Sequence, residues 1–502
     1  MIISPRRAIW TAAALLFLYW LTRTYALTVF PLFLDEASHL TRAQGVWRGS
    51  PFYLLETGKA LAPYLAALFY PFSGAVFIGR YAVILLGVLG LAAGYGVGRA
   101  LHSRGAGILL MALWIGAPHL FFFERMTLVD TTIGAMAMVA LWWAIRALRS
   151  GRPFAAVLCG AALALTVFAK LTGLVFLLLP ILAALFITEK PFRLRLRQAG
   201  IALLVAGVIL APAALYILSQ KADPTGQSTA LTSLDPASLP QRAGGNIAAI
   251  ANAFRIYYGD LFLIIAALTV IGFVLTAPRR ALLLIGGFLL PLAAISLTAN
   301  SLWLRYTTPA APFLLLIVVI GAAVQIDAVA RANRAAEKPF ALATLWAAPL
   351  MWIAFWGLPF MITAYGDPAA LRLPEGDRAE YITWIPGGFG IAEASAWFSH
   401  TQTPITVIGT AVNCHAARLM TASTAPVTFY CPPLDWGGRV YAPIVALISE
   451  RLAAGEDVYL LTEDKKPPTL PNAAIPAERE EMITFQRPGG RNTVRIYRLR
   501  ER

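Results

Sequence analysis

Two adjacent carboxylates, Asp35 and Glu36, stand in the stretch Leu34-Asp35-Glu36-Ala37-Ser38-His39, directly after the first long apolar run, Ile9 to Phe30. Charge at the edge of such a run is costly and is usually kept for pairing, for a pathway or for chemistry. The chemistry open to a carboxylate there is general-base catalysis. Lys59, Arg125, Lys170 and Arg305 are cations of the kind that hold phosphate oxygens and balance charge growing on a leaving group. Each residue also has a plainer reading. Lys59, Arg80 and Arg305 could snorkel to lipid head groups. Asp130 could pair with Arg125, five residues before it, and Glu36 could orient Asp35 or simply be solvated. His39 follows Asp35 by four residues and shares its helix face, which raises a metal site with Glu36 or Glu56. No spacing typical of metal ligands supports that site, so hydrogen bonding by a lone histidine is the simpler account, and a divalent metal stays open.

The elements that must position these residues are apolar. The 502 residues are 58% hydrophobic and 13% charged, with mean hydropathy +0.67, whereas soluble domains hold about 25% charged residues. This is the composition of a polytopic membrane protein. A net charge of +15 would suggest nucleic acid in a soluble chain, but its distribution argues against that. Residues 365–502 hold 14 basic and 15 acidic residues, and the apolar remainder holds 27 and 11.

Eleven runs reach the length that crosses a bilayer, about 20 residues each: 8–30, 76–98, 106–123, 128–148, 154–171, 172–188, 199–219, 258–276, 281–298, 307–326 and 340–362. The long run 154–188 is divided at Lys170-Leu171-Thr172-Gly173, where a charge and a glycine mark a turn. With the N-terminus inside, the inside loops collect 16 basic residues against three acidic ones, Glu189, Asp327 and Glu337, as the positive-inside rule requires. Arg6-Arg7 before the first run could belong to a signal peptide, but the run is too long and no cleavage site follows, so an uncleaved first span is expected. The opposite face then receives the loop 31–75, Glu124-Arg125 running into Asp130, the Lys170 turn, and the long loop 220–257 with Arg305-Tyr306. Charges from distant parts of the chain thus converge on one membrane face.

Residues 51–75 are rich in aromatics and proline and read as short interfacial helices. Gly90, Gly94 and Gly98 recur every fourth residue, a spacing that lets helices approach closely. Residues 1–362 are therefore read as the membrane domain. Residues 363–502 change character. Short strands at 405–408, 427–430, 458–461 and 494–497 alternate with helical patterns at 391–399 and 442–454, which predicts a small α/β domain on the outer, extracytoplasmic side. Pro386-Gly387-Gly388-Phe389-Gly390 lacks a preceding strand and the dinucleotide-binding spacing, so it reads as a turn and helix cap. Cys159 lies in an apolar run. Cys414 and Cys431 could form a disulfide outside the cell or remain free thiols.

Several features in order resemble one superfamily: the acidic pair after the first span, Gly58-Lys59 with Pro63, Arg80 opening the second span, Arg125 to Asp130 opening the fourth, Lys170 with Thr172-Gly173, and Arg305-Tyr306 with Pro309 and Pro312. The chain is similar over nearly its whole length to the protein O-mannosyltransferase superfamily, the C-type glycosyltransferase (GT-C) fold that includes bacterial aminoarabinose transferases. The stretch from Tyr381 to Gly390, followed by Ala392-Glu393-Ala394, resembles the start of the outer domain in bacterial members. The resemblance implies an inverting transferase of the bacterial cytoplasmic membrane that uses a polyprenyl-phosphate sugar donor and a lipid, glycan or protein acceptor. It maps the base to Asp35, the second acidic position to Glu36 and the phosphate-contacting lysine to Lys59. Here Ala60-Leu61-Ala62 stands before Pro63, where members often have consecutive prolines directly after the lysine. The aminoarabinose transferases are similar in using a metal in the outer loops, and those ligands find no match here. A lipid or glycan transporter, or a non-catalytic envelope protein, would share the spans and the basic face. Neither explains the acidic pair.

Overall fold

The computed structural model describes residues 4–52, 55, 58–219, 239–332, 346–432, 442–463, 477–490 and 492–501. Glu56 and the middle of the long loop, 220–238, lie outside the described residues. The chain divides into two compact units. One comprises residues 1–27, 45–69 and 79–367, and the other comprises 28–44, 70–78 and 368–502. The acidic stretch after the first apolar run therefore belongs to the same unit as the C-terminal part of the chain.

The first unit is helical: α1 Pro5–Thr24, α3 Leu61–Leu68, α4 Ala75–Leu101, α5 Arg104–Gly116, α6 Pro118–Glu124, α7 Val129–Ser150, α8 Pro153–Ala169, α9 Leu179–Phe186, α10 Phe192–Ser219, α11 Leu239–Tyr258, α12 Asp260–Thr276, α13 Pro278–Thr298, α14 Ala311–Ala332 and α15 Trp346–Gly366. α2, Leu34–Trp47, begins in the second unit. Helices lie over the described part of all eleven apolar runs, with a 3₁₀ segment at Leu171–Leu178. By length and composition six of the described helices can cross a bilayer, and two bent pairs raise the number to eight. α8 and the segment 171–186 are shorter apolar helices.

The breaks have local causes. Pro118 disfavours helix at Ala117, which is extended at ψ 116°, and α5 and α6 meet at 65°. Lys170 is extended between α8 and a 3₁₀ segment, Leu171–Leu178. At Gly173 a Cβ would lie 2.3 Å from the Thr166 carbonyl oxygen, so only glycine allows this turn. Residues 239–257, read as loop, belong to α11, which bends by 111° into α12 at Gly259, where φ is +81°. The glycine stripe on α4 lets α5 and α7 approach: a Cβ on Gly90 would meet Ala135 and one on Gly98 would meet Gly107, both at under 3 Å.

The second unit is an α/β layer. Its helices include α16 Ile391–Ser399, α17 Cys414–Met420 and α18 Ala442–Ala453. Its strands are β1 Ile405–Gly409, β2 Val427–Tyr430, β3 Val458–Glu463, β4 Glu478–Gln486 and β5 Thr493–Arg500, in the order β2-β1-β3-β5-β4. β1 runs parallel to β2 and β3, and β5 is antiparallel to β3 and β4. One cluster packs Leu32, Ala37 and Leu40 with Ile391, Phe398, Val407 and Ile496. A second packs Ile408, Leu460 and Leu499 with Ile444 and Ile448 of α18. Cys414 and Cys431 form a disulfide, and Cys159 is free and buried.

Candidate functional site

α7 begins at Val129, so Asp130 stands in its first turn, where a carboxylate suits the helix dipole. Its partners come from two later turns of the chain. Lys170 Nζ donates to Asp130 Oδ1 at 2.9 Å, and Arg305 Nε lies 3.8 Å from Oδ2. The three side chains are 4–8% exposed. Arg305 and Tyr306 stand in the 3₁₀ turn Leu304–Ala310, which reaches α7 because Gly134 has no side chain: a Cβ there would lie 3.1 Å from Pro309 Cα. The Lys170 ammonium sits 3.8 Å from the centre of the Tyr306 ring, and Arg305 faces the same ring and Trp303. Two cations thus share one buried carboxylate against aromatic faces. Asp130 pairs with Lys170 and Arg305 rather than with Arg125, as the spacing alone allowed.

Lys59 is half-buried. The next residue, Ala60, donates its N–H to the Phe168 carbonyl at 2.8 Å, two positions before Lys170. A main-chain bond therefore ties the lysine of the first loop to the turn that carries the second lysine.

Arg125 is engaged elsewhere. Its Nη2 donates to the Tyr25 and Ala26 carbonyls, and its guanidinium faces Phe121 and Tyr365. Ala26 has φ +47°, a conformation that costs a non-glycine residue about 1 kcal/mol or more, and Arg125 holds that turn. Arg80 is fully buried and donates to the Leu27 carbonyl at 2.8 Å. A snorkelling role is excluded for it.

The strongest unforeseen group is Arg23–Glu124. Arg23 Nε meets Glu124 Oε2 at 3.0 Å, with both side chains buried. Its other nitrogens donate to the Trp114 and Ile115 carbonyls at the end of α5, where the Trp114 carbonyl also accepts the Ala117 N–H at 3.3 Å. Trp114 Nε1 donates to Glu124 Oε1 at 2.7 Å. The available signal was an arginine inside an apolar run. His119 was also missed. It stacks on Tyr257, with ring centres 4.6 Å apart, and lies 3.3 Å from Thr307 Oγ1.

In the second unit, Asp35 is half-buried in the first turn of α2. Glu36 is fully buried, and its Oε2 accepts the Phe33 N–H at 3.1 Å. Its carboxylate thus closes the helix start, and its burial contradicts the reading of a merely solvated Glu36. His39 is buried as well. Among the described residues no group of three or more His, Cys, Asp or Glu could hold a metal ion.

These features define a polytopic integral membrane protein with a small C-terminal sheet domain, and the solved structures it resembles give its fold as the GT-C fold. Among solved structures, the chain is similar to ArnT from Cupriavidus metallidurans bound to undecaprenyl phosphate, at 13% identity and TM-score 0.62, with 97% of each chain covered. It is also similar to the oligosaccharyltransferase AglB from Archaeoglobus fulgidus in complex with an inhibitory peptide and a dolichol-phosphate. There the identity is 12% and the TM-score 0.53, over 90% of this chain and 69% of that one. No protein-family model matches the chain, and no curated protein matches it in sequence.

Proposed function

We propose that this chain is a membrane glycosyltransferase that moves a sugar from a polyprenyl-phosphate donor to an acceptor hydroxyl, with inversion at the anomeric carbon. The observation that carries this reading is the buried Lys170–Asp130–Arg305 cluster. Two buried cations gathered on one carboxylate are groups of the kind that hold phosphate oxygens. The fold supports the reading, because its neighbours include a protein bound to undecaprenyl phosphate and one in complex with a dolichol-phosphate.

The reaction is a single displacement. Asp35 takes the proton from the acceptor hydroxyl as its oxygen bonds to the anomeric carbon. The bond from that carbon to the phosphate oxygen breaks, and the leaving phosphate keeps the electron pair. Lys170 and Arg305 balance the charge that grows on it, with Lys59 brought to the same turn by the Ala60–Phe168 bond. Arg80 and Arg125 hold main-chain carbonyls within the first unit, Glu36 closes the start of α2 within the second, and Tyr306 faces Lys170. The orientation proposed is N-terminus in the cytoplasm of a bacterium and the C-terminal domain outside its cytoplasmic membrane. The acceptor is a lipid, glycan or protein.

The test is sugar transfer by the purified chain from radiolabelled undecaprenyl-phosphate hexoses and pentoses, wild type beside Asp35→Asn. Removal of a general base costs roughly 10²–10⁴-fold, so turnover should fall by about that factor with folding intact. Equal turnover in both proteins would remove Asp35 as the base.

A further inference from the structure

In an open α/β sheet, ligands bind outside the carboxyl ends of the strands, at the point where the strand order reverses. Here that point lies at β1: the chain goes from β1 to β2 on one side and then to β3 on the other, both parallel to it. The residues after β1 and at the end of β3 are therefore where a ligand is expected. They hold the chain's own turn instead. Asn413, fully buried, donates Nδ2 to the carbonyls of Pro386 at 2.9 Å and Gly387 at 3.3 Å. Arg487, also buried, donates to the carbonyls of Trp384 and Gly387. The Glu463 carboxylate, at the end of β3, holds that guanidinium at 2.6 Å and also accepts the Val412 N–H.

This turn carries the start of α2. The Pro386 carbonyl that accepts from Asn413 also accepts the Leu34 N–H at 3.1 Å, one residue before Asp35. Gly388 fits so closely that a Cβ would lie 2.5 Å from the Leu32 carbonyl oxygen. Phe33 packs on Tyr381 with ring centres 4.6 Å apart. At the other end of the helix, Arg418 of α17 donates to Thr41 and Gln44.

We infer that the crevice of the α/β unit is a positioning device for Asp35. Asn413 and Arg487 fix the 384–390 turn, and the turn fixes the first residues of α2. This rests on Asp35 as the base. A carboxylate that takes a proton must sit within hydrogen-bond reach of the acceptor oxygen, and misplacement by about 1 Å can cost on the order of 10²-fold in rate. A half-buried residue at the first turn of a helix needs such a frame.

The experiment uses the full-length chain in detergent, with Asn413→Asp, Gly388→Ala and Asp35→Asn beside wild type. Asn413→Asp keeps shape but removes the donor, and Gly388→Ala pushes on Leu32 from the turn itself. Amide hydrogen exchange of residues 33–36 reports the frame without any substrate. Transfer from the radiolabelled undecaprenyl-phosphate sugars reports its effect. Both frame variants should exchange at Leu34 at least ten-fold faster than wild type. The exchange of β1 and β3 should stay unchanged, and kcat should fall ten-fold or more at an unaltered donor KM. Wild-type exchange at Leu34, or faster exchange with full kcat, overturns the inference. If Asn413→Asp does not fold, Gly388→Ala decides alone. Full turnover in Asp35→Asn removes the base on which the inference rests, and that failure is told apart because exchange is read without turnover.

Discussion

Asp130→Asn separates a structural ion pair from a phosphate site. The substitution keeps the shape of the side chain and removes its charge. At an effective dielectric constant of about 20, a charge pair at the 2.9 Å of Lys170 is worth roughly 6 kcal/mol, and one at the 3.8 Å of Arg305 roughly 4 kcal/mol. Desolvation of three buried groups consumes much of this, and breaking a buried pair by removing one partner costs about 3–5 kcal/mol in practice. The variant should lose that much stability, because Lys170 and Arg305 then lack the carboxylate they share.

If the pair is built for phosphate, a bound phosphate restores the missing charge. A ligand at 100 times its Kd stabilises by about 2.7 kcal/mol, and it should do so at a lower concentration in the variant than in wild type. The assay is thermal unfolding in detergent, titrated with undecaprenyl phosphate and, as the control, with undecaprenol. The gap in midpoint between variant and wild type should narrow with the phosphate and stay constant with the alcohol. An equal midpoint without ligand would refute the energetic reasoning. A gap that the phosphate leaves unchanged would refute the site.

Two further outcomes follow from particular contacts. The Thr307 hydroxyl donates to the Leu304 carbonyl at 2.7 Å, so His119 Nε2 must be the donor to Thr307, and Nδ1 faces the Tyr258 hydroxyl at 3.5 Å. His119→Phe should loosen the 3₁₀ turn that carries Arg305, lowering stability by about 1–3 kcal/mol and raising donor KM several-fold. Steady-state kinetics checks this, with a less than additive double mutant with Arg305→Ala. His415 in the α/β unit has its pKa lowered by burial and by Arg418. A folded pKa below the unfolded one means that the unfolded chain binds the proton more tightly. Stability is therefore full above about pH 6.5 and falls as the pH drops through the unfolded pKa towards the folded one. Melts between pH 7.5 and 5.5 should show a loss in wild type that His415→Gln reduces.

The membrane architecture was legible in the sequence because it rests on local properties. Apolar length is read within a span, and a helix lies over the described part of every run. The division at Lys170 was legible for the same reason: a charge and Gly173 interrupt one run, and the turn occurs there. β4 was not legible. It is an edge strand whose side chains are largely exposed, and Glu478-Arg479-Glu480-Glu481 carries no apolar signal, as suits an edge that must not pair with another chain. Arg23–Glu124 and Lys170–Asp130 join residues 101 and 40 positions apart, and no spacing rule reaches that far.

The acidic pair shows that adjacent carboxylates can meet different surroundings. Neighbours on a helix point about 100° apart, so Asp35 and Glu36 differ in burial. The buried one closes the start of α2 through Phe33, and the other is half-buried. A helix that opens in the second unit and is stapled there by Pro386 has little freedom to exchange the two. If Asp35 is the base, as proposed, Glu36→Gln should weaken the cap at Phe33 and lower stability while transfer by the folded protein persists.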